Sequence, residues 1–441
     1  MRQNKTKLPG IFGDSGYSSP FLSYGALYIL ATVELLAILH ICSWGFFTPD
    51  SDSYIDASYC VAHGEIHSMR TPVLPLVMAL MRSIAGECHQ VAALVIFQSA
   101  VFLISVGFFR IIAARLLRSA RATFWLTAFY ALWPAFPGLS AFVIAESLTL
   151  SCVVFFTWAL FRRYPGMPGA SDAFISGLLL VVLILLRPQM LCLVPVYLIY
   201  WCAICLKWKR RAINQALVSV LMLAVCAVTL LAYKAEAERR FGIKSITTVS
   251  AINNYYTARE AGLMTPDKTE NPRLKLFLDS IKDIDTPARG ASNDEFTYIR
   301  DSIGVSVPEV EEAVNKAISS RPAALARVFV HRVSCASRYP LFYYPTAPYI
   351  ILIYTLVPVT LWPCMVFMCM AFVWLVWRRR GLVPWTLWLI SAAIYGSSIV
   401  GAMAGWNRLF APGIPEAFIL LAVILLPVYQ TWKRGKASAK S

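Results

Sequence analysis

Thr48-Pro49-Asp50-Ser51-Asp52-Ser53-Tyr54 interrupts the chain directly after its first long apolar run, which extends from about Phe21 to Phe47. Arg70-Thr71-Pro72 and then Pro75 follow within the same break. Two carboxylates and an arginine at the mouth of a lipid-embedded bundle are costly, and such residues mark function by default. The surroundings are apolar: 58% of the 441 residues are hydrophobic and 15% are charged, with a mean hydropathy of +0.61. Soluble domains carry about 25% charged residues, so nearly all of this chain belongs in a membrane. The first run is too long for a signal-peptide core and shows no convincing small-residue cleavage site, so it reads as an uncleaved helix.

A net charge of +16 would suggest nucleic acid in a soluble protein; its distribution here excludes that partner. The basic residues form short clusters between apolar runs, at Arg110 to Arg121, Arg162-Arg163, Lys207 to Arg211, Arg378 to Arg380 and Lys433 to Lys440. This is the positive-inside pattern, for which anionic lipid headgroups are sufficient partners. With all clusters on the cytoplasmic side, both termini lie inside and the path makes about ten crossings of roughly 20 apolar residues each. They are placed near 23–46, 91–112, 122–139, 145–161, 173–187, 188–206, 213–233, 348–376, 383–402 and 410–431. The fold class is therefore an all-α polytopic membrane protein of the inner or plasma membrane.

Three regions follow. Residues 1–233 form an N-terminal transmembrane module with its first outer loop at 47–90, 234–347 form one large non-cytoplasmic loop, and 348–441 form a C-terminal transmembrane module. In the first loop, Leu74, Val77, Met78, Leu80, Met81 and Ile84 predict an amphipathic helix lying along the interface. In the large loop, Pro308 to Ile318 predicts a helix with proline at its first position and acids in its first turn. Pro322 to Cys335 predicts another, leading back to the membrane.

Asp50-Ser51-Asp52 is literally a D-x-D pattern, which elsewhere holds a divalent ion on phosphate. The sequence requires no cofactor and leaves a divalent metal open. His63, Glu65 and His67 alternate, but without a second ligand group they read as interfacial residues. Most of the eleven cysteines lie in apolar runs and read as packing residues. Cys60 and Cys88 face the oxidising side, where spacing alone does not decide whether they pair.

Asp50, Tyr54 four positions on, the small residues Ala57, Ala62 and Gly64, then Arg70-Thr71-Pro72 and Pro75, resemble the first-loop signature of the GT-C class of polytopic glycosyltransferases. That class uses polyprenyl-phosphate sugars and includes protein O-mannosyltransferases and lipid A aminoarabinose transferases. Ala145-Glu146-Ser147-Leu148 stands where relatives carry a second acid. Leu186-Arg187-Pro188 is similar to a recurrent Leu-Arg-Pro, and Arg408 before Pro412 and Pro415 is similar to a late Arg…Pro pattern. Relatives often have Asp-Glu where this chain has Asp50-Ser51, so the second acid would fall to Asp52 or Glu146.

The resemblance implies a catalytic carboxylate at Asp50, with Tyr54 supporting it. Arg70, Arg187 and Arg408 would bind the donor phosphate. On the path above, all three arginines fall at non-cytoplasmic helix ends, against the orientation bias, and a guanidinium is a good bidentate partner for phosphate. The blander account is that they snorkel to headgroups or pair with Glu146 or a loop acid. The expected function is transfer of a monosaccharide from a polyprenyl-phosphate donor to a glycan, lipid or protein of the cell envelope, on the outer face. The alternatives are a polysaccharide polymerase or ligase using diphosphate-linked lipids, with arginines such as Arg239, Arg240, Arg332 or Arg338, and a lipid or sugar flippase. The flippase reading expects inverted repeats, and the sequence shows none.

Overall fold

The computed structural model describes residues 24–48, 50–282, 291–338, 361–378, 381–401 and 409–438. Among them the fold is helical throughout, with one isolated bridge between extended residues and no strand. The N-terminal part runs α1 (Tyr24–Ile41), α2 (Ser51–Ala62), α3 (Val73–Ala85), α4 (Gln90–Leu117), α5 (Ala120–Leu132), a single turn α6 (Ala135–Gly138), α7 (Glu146–Phe161), α8 (Ala170–Leu186), α9 (Leu193–Trp208) and α10 (Ile213–Phe241). The middle part holds α11 (Thr248–Glu260), α12 (Pro272–Ser280), α13 (Ala291–Asp301), α14 (Val307–Ser320) and α15 (Pro322–Arg338). Then come α16 (Leu361–Arg378), α17 (Leu382–Gly401) and α18 (Ile414–Ser438).

Four stretches are long and apolar enough to cross a membrane by length and composition: Tyr24–Ile41, Glu87–Leu117, Pro188–Phe241 and Leu382–Gly401. The last three helices of the N-terminal part turn as expected: a 3-10 segment at Pro188–Cys192 separates α8 from α9. Proline there supplies no N–H and fixes its own φ, which ends α8. α7 and α8 are shorter than a full span; α7 is sheltered, whereas α8 exposes Phe174 and Leu178 on one side. α7 packs between α4 and α8, and nearly every residue from Glu146 to Phe161 is buried. α1 and α10 instead expose apolar side chains, Ile29, Leu30, Val33, Leu217, Val220, Val228 and Leu231. In lipid, helices associate through close packing rather than through a hydrophobic drive. Gly177 shows how: a Cβ there would lie 2.5 Å from Cβ of Met222, so α8 and α10 touch only because position 177 has no side chain.

Some basic residues do structural work beyond meeting headgroups. Arg110 is buried under the ring of Tyr24, 3.7 Å from its centroid. Arg115 donates to the carbonyls of Phe161, at 3.1 Å, and Arg162. Arg162 and Arg163 both pair with the buried Asp172, at 2.8 and 3.2 Å.

Two differences from the sequence expectations concern the middle of the chain. α10 continues to Phe241, past its expected end at 233, so the large loop begins on a helix that is already running. The loop also has its own core, with Tyr255, Leu274, Leu278, Phe296, Val310 and Val314 buried together. The expected helices at 308–318 and 322–335 are present as α14 and α15. α14 begins on a reciprocal cap, with Glu309 accepting from the backbone N–H and hydroxyl of Ser306. The first part of the expected crossing at 348–376 lies outside the described residues; α16 covers the rest.

Candidate active site

The site begins with a backbone contact. Phe46 and Phe142 form the isolated parallel bridge, with Phe46 N–H donating to Ala141 O at 2.8 Å and Val143 N–H to Phe46 O at 3.2 Å. Ser51 adds a bond from its hydroxyl to Val143 O at 3.1 Å, and Gln98 donates to Phe142 O at 3.1 Å. The buried segment before α7 therefore runs beside the segment before α2. Asp50, immediately before α2, and Glu146, the first residue of α7, arrive at the same end of the bundle. Thr48 and Ser51 fix the start of α2, since Thr48 N–H donates to Ser51 Oγ at 2.8 Å and Asp50 N–H to Thr48 Oγ1 at 3.2 Å. These hydroxyls bond N–H groups of the turn that leads into α2.

Arg70 reaches back into this corner. Its Nη2 lies 2.7 Å from Asp50 Oδ1 and its Nε 2.7 Å from Ser53 Oγ. The guanidinium sits over the Tyr54 ring, 4.3 Å from the centroid. The Arg70 carbonyl accepts from Tyr233 Oη on α10 at 3.1 Å. Thr71 donates to Leu186 O at 3.1 Å, which ties the arginine's segment to the end of α8. The next residue, Arg187, lies 2.8 Å from Glu146 Oε1. Tyr54 is the common neighbour: burial pushes its hydroxyl up, and the charges of Arg70, Glu146, Arg187 and Asp50 all act on it. His67 is held below its usual range, first by burial and then by the Arg70 charge.

Arg70 and Arg187 face one cavity of about 440 Å³ between the first loop, the ends of α8 and α17, and the start of α11. Such a volume suits a small-molecule site. One part of its wall is apolar, with Leu186, Leu191, Ile246, Val400 and Leu409; another is polar, with Gln189, Ser250, Asn253, Asn254 and Ser397. The carboxylates stand behind the guanidiniums: neither Asp50 nor Glu146 lines the cavity. Glu146 is 2% exposed, whereas Asp50 is 32% exposed. Two ordered arginines beside an apolar wall can hold an anionic head whose tail is hydrocarbon, because charge-assisted bonds to phosphate are strong and directional.

Of the residues singled out in the sequence, Asp50, Tyr54, Arg70, Glu146 and Arg187 come together. Asp52 is exposed on α2 and makes no ion pair among the described residues. Arg408 lies outside the described residues, although its neighbour Leu409 lines the cavity. Among the described residues no three His, Cys, Asp or Glu side chains are grouped to hold a metal ion. Cys60 and Cys88 are both free thiols, so the bridge left open by their spacing is not formed. Ser53, Tyr233, Gln189 and the α11 residues were not singled out in the sequence. Gln189 carried one signal, its place directly after Leu186-Arg187-Pro188; the others carried none.

No protein-family model matches the chain, and no curated protein matches it. Two solved structures are similar to it. One is the archaeal oligosaccharyltransferase AglB from Archaeoglobus fulgidus, in complex with an inhibitory peptide and a dolichol-phosphate: 14% identity, 96% of this chain and 52% of that one, TM-score 0.48. The other is ArnT from Cupriavidus metallidurans in the apo state: 13% identity, 90% of this chain and 76% of that one, TM-score 0.38. Both are membrane glycosyltransferases of the GT-C fold. The chain spans about half the length of AglB. Function lives in sites rather than folds, so what this chain does has to be read from its own cavity.

Proposed function

We propose that this protein is a glycosyltransferase that moves a monosaccharide from a polyprenyl-phosphate donor to an acceptor of the cell envelope, on the non-cytoplasmic face. The observation that carries the reading is the pair of guanidiniums, Arg70 and Arg187, facing one cavity with a partly apolar wall and each backed by a carboxylate. The donor phosphate binds between them, and the first isoprene units lie on the apolar wall. Arg408 is assigned to the same phosphate. Basic clusters at the opposite ends of α4, α7 and α9 fit a cavity on the outer side.

The chemistry is an inverting displacement. The acceptor oxygen bonds to the sugar's anomeric carbon as the bond from that carbon to the phosphate oxygen breaks. The acceptor's proton passes to Asp50, and the polyprenyl phosphate leaves with the bonding electron pair. Asp50 is assigned the base because, although it lies outside the cavity wall, its carboxylate is the more exposed of the two and sits beside Arg70, whereas Glu146 is shut in behind Arg187. The arginines stabilise charge as it gathers on the leaving phosphate, in an orientation their carboxylate partners have already set. Residues 234–347 form the lid and much of the acceptor site.

Membranes holding the wild-type protein or Arg70→Ala, given radiolabelled polyprenyl-phosphate sugar, test the reading. A transferase consumes the label into an acceptor and the variant does not; a polymerase ignores it, and a flippase moves it unchanged. No observation favours these rivals. Of the loop arginines a polymerase would employ, Arg239 and Arg240 pair with Glu236, and Arg332 is buried among structural partners.

A further inference from the structure

Beside the two arginines, the cavity wall carries neutral hydrogen-bonding groups and, among the described residues, no carboxylate. Asn253 and Asn254 on α11 contribute side-chain amides that make no hydrogen bond among the described residues. Ser250 lies one turn earlier, and Gln189 faces the same space from the turn after α8. Gln189 is aimed by its own amide, which donates to Ser397 Oγ at 3.3 Å and Ser398 Oγ at 2.7 Å.

α11 is firmly seated. Thr248 N–H donates to Ser68 O at 2.8 Å, joining its start to the first loop. Tyr255 and Arg259 both donate to Glu295, at 2.7 and 3.1 Å. Arg332, which is 1% exposed, donates from one guanidinium to Glu260, Thr257 and the carbonyls of Ile399 and Val400. That side chain locks α11 to the end of α17, so the backbone positions of Asn253 and Asn254 are fixed before any ligand enters, while their side-chain amides stay open to it.

The geometry points to α11 and Gln189 as the surface that reads the donor's sugar, and to that sugar being neutral and hydroxyl-rich. The inference rests on the proposed donor class. The amides of Asn253 and Asn254 supply a donor and an acceptor each, which matches a hydroxyl's own pair of roles, and Gln189, its N–H groups engaged by Ser397 and Ser398, adds an acceptor oxygen. An ammonium-bearing sugar would find no carboxylate among the described residues of the cavity wall to pair with, and burying a charge without a partner is costly.

Purified full-length protein in lipid nanodiscs tests this through equilibrium binding of farnesyl phosphate alone, its glucosyl, mannosyl and galactosyl esters, and its glucosaminyl ester. At least one neutral ester is expected to bind ten times or more tighter than bare farnesyl phosphate, and the glucosaminyl ester no tighter. Asn253→Ala, Asn254→Ala and Gln189→Ala are each expected to lose about three- to tenfold on that neutral ester, the usual worth of a hydrogen bond. All three should leave bare farnesyl phosphate unchanged, which also reports an intact fold. Preference for the glucosaminyl ester, or equal losses on sugar and bare phosphate, overturns the inference while leaving the donor class standing. No binding of farnesyl phosphate, or binding indifferent to Arg70→Ala, overturns the donor class and this inference with it.

Discussion

Arg187 and Glu146 lie 2.8 Å apart at the junction of α8 and α7, with the arginine 17% exposed and the glutamate 2% exposed. The two residues are forty-one positions apart in sequence (187 − 146 = 41) and meet because both helices begin or end at the same level. Removing one member of such a pair leaves an uncompensated charge, at about 3–5 kcal/mol. Glu146→Ala is expected to lower stability by that order, read as a fall in thermal unfolding midpoint in detergent. A midpoint matching the wild type would remove Glu146 as the arginine's counter-ion.

Arg70→Ala is expected to abolish transfer while membrane abundance holds, since its loss strips one anchor from the donor phosphate. Arg70→Lys is expected to recover little. A lysine cannot reproduce the forked contacts to Asp50 and Ser53. Labelled-donor turnover alongside immunoblot abundance separates the two readouts.

Asp50→Asn is isosteric and keeps an acceptor oxygen for Arg70, yet it removes the base. Turnover should fall by about 100-fold or more, within the usual contribution of general-base catalysis. Donor binding should stay within a few-fold. A variant with near-normal turnover would move the base elsewhere, with Asp52 the first residue to examine.

Tyr54 separates a ring from a hydroxyl. Tyr54→Phe preserves the face under the Arg70 guanidinium and is expected to keep most activity, whereas Tyr54→Ala removes a contact worth up to about 2 kcal/mol. Because burial raises the hydroxyl's pKa, the phenol stays neutral at ordinary pH. Comparing the pH profiles of wild type and Tyr54→Phe checks this: they should coincide.

His67 gives a signed pH expectation. Its folded pKa lies below the ordinary 6.5, chiefly through burial. As pH falls through 6.5 the unfolded chain takes up a proton that the folded chain resists, so stability declines and then levels off below the folded pKa. The unfolding midpoint should drop as the pH falls below about 6.5, and His67→Gln should flatten that drop. An unchanged slope in the variant would assign the acid sensitivity to another group.

The helical bundle was legible because apolar runs and basic punctuation are written directly into a membrane chain. The interfacial helix at 73–85 and the capped helix at 307–320 were legible for local reasons, a hydrophobic face and a proline in the first turn, one residue later than expected. α2 was not identified as a helix from composition. Ser51-Asp52-Ser53 reads as loop, and what makes it helical is the hydroxyl network anchored on Val143, far away in sequence. α11 was likewise missed: it lacks a helical apolar stripe and is stabilised by Glu295 and Arg332 from other helices. The charged residues of the site could be nominated singly, because ionisable groups are rare here. Their pairing could not, since no local pattern states that residue 70 will meet residue 50, or 187 meet 146.

The bridge between Phe46 and Phe142 has a consequence for insertion and deletion. Asp50 lies four residues beyond one side of the bridge (50 − 46 = 4) and Glu146 four beyond the other (146 − 142 = 4). The equal spacings give each acid the same number of residues from the bridge, so backbone length as well as the Ser51–Val143 bond sets where the two acids stand. Adding one residue to either arm would shift its acid by up to about 3.8 Å, the spacing of neighbouring Cα atoms, and leave one arginine reaching for a partner that had moved past it.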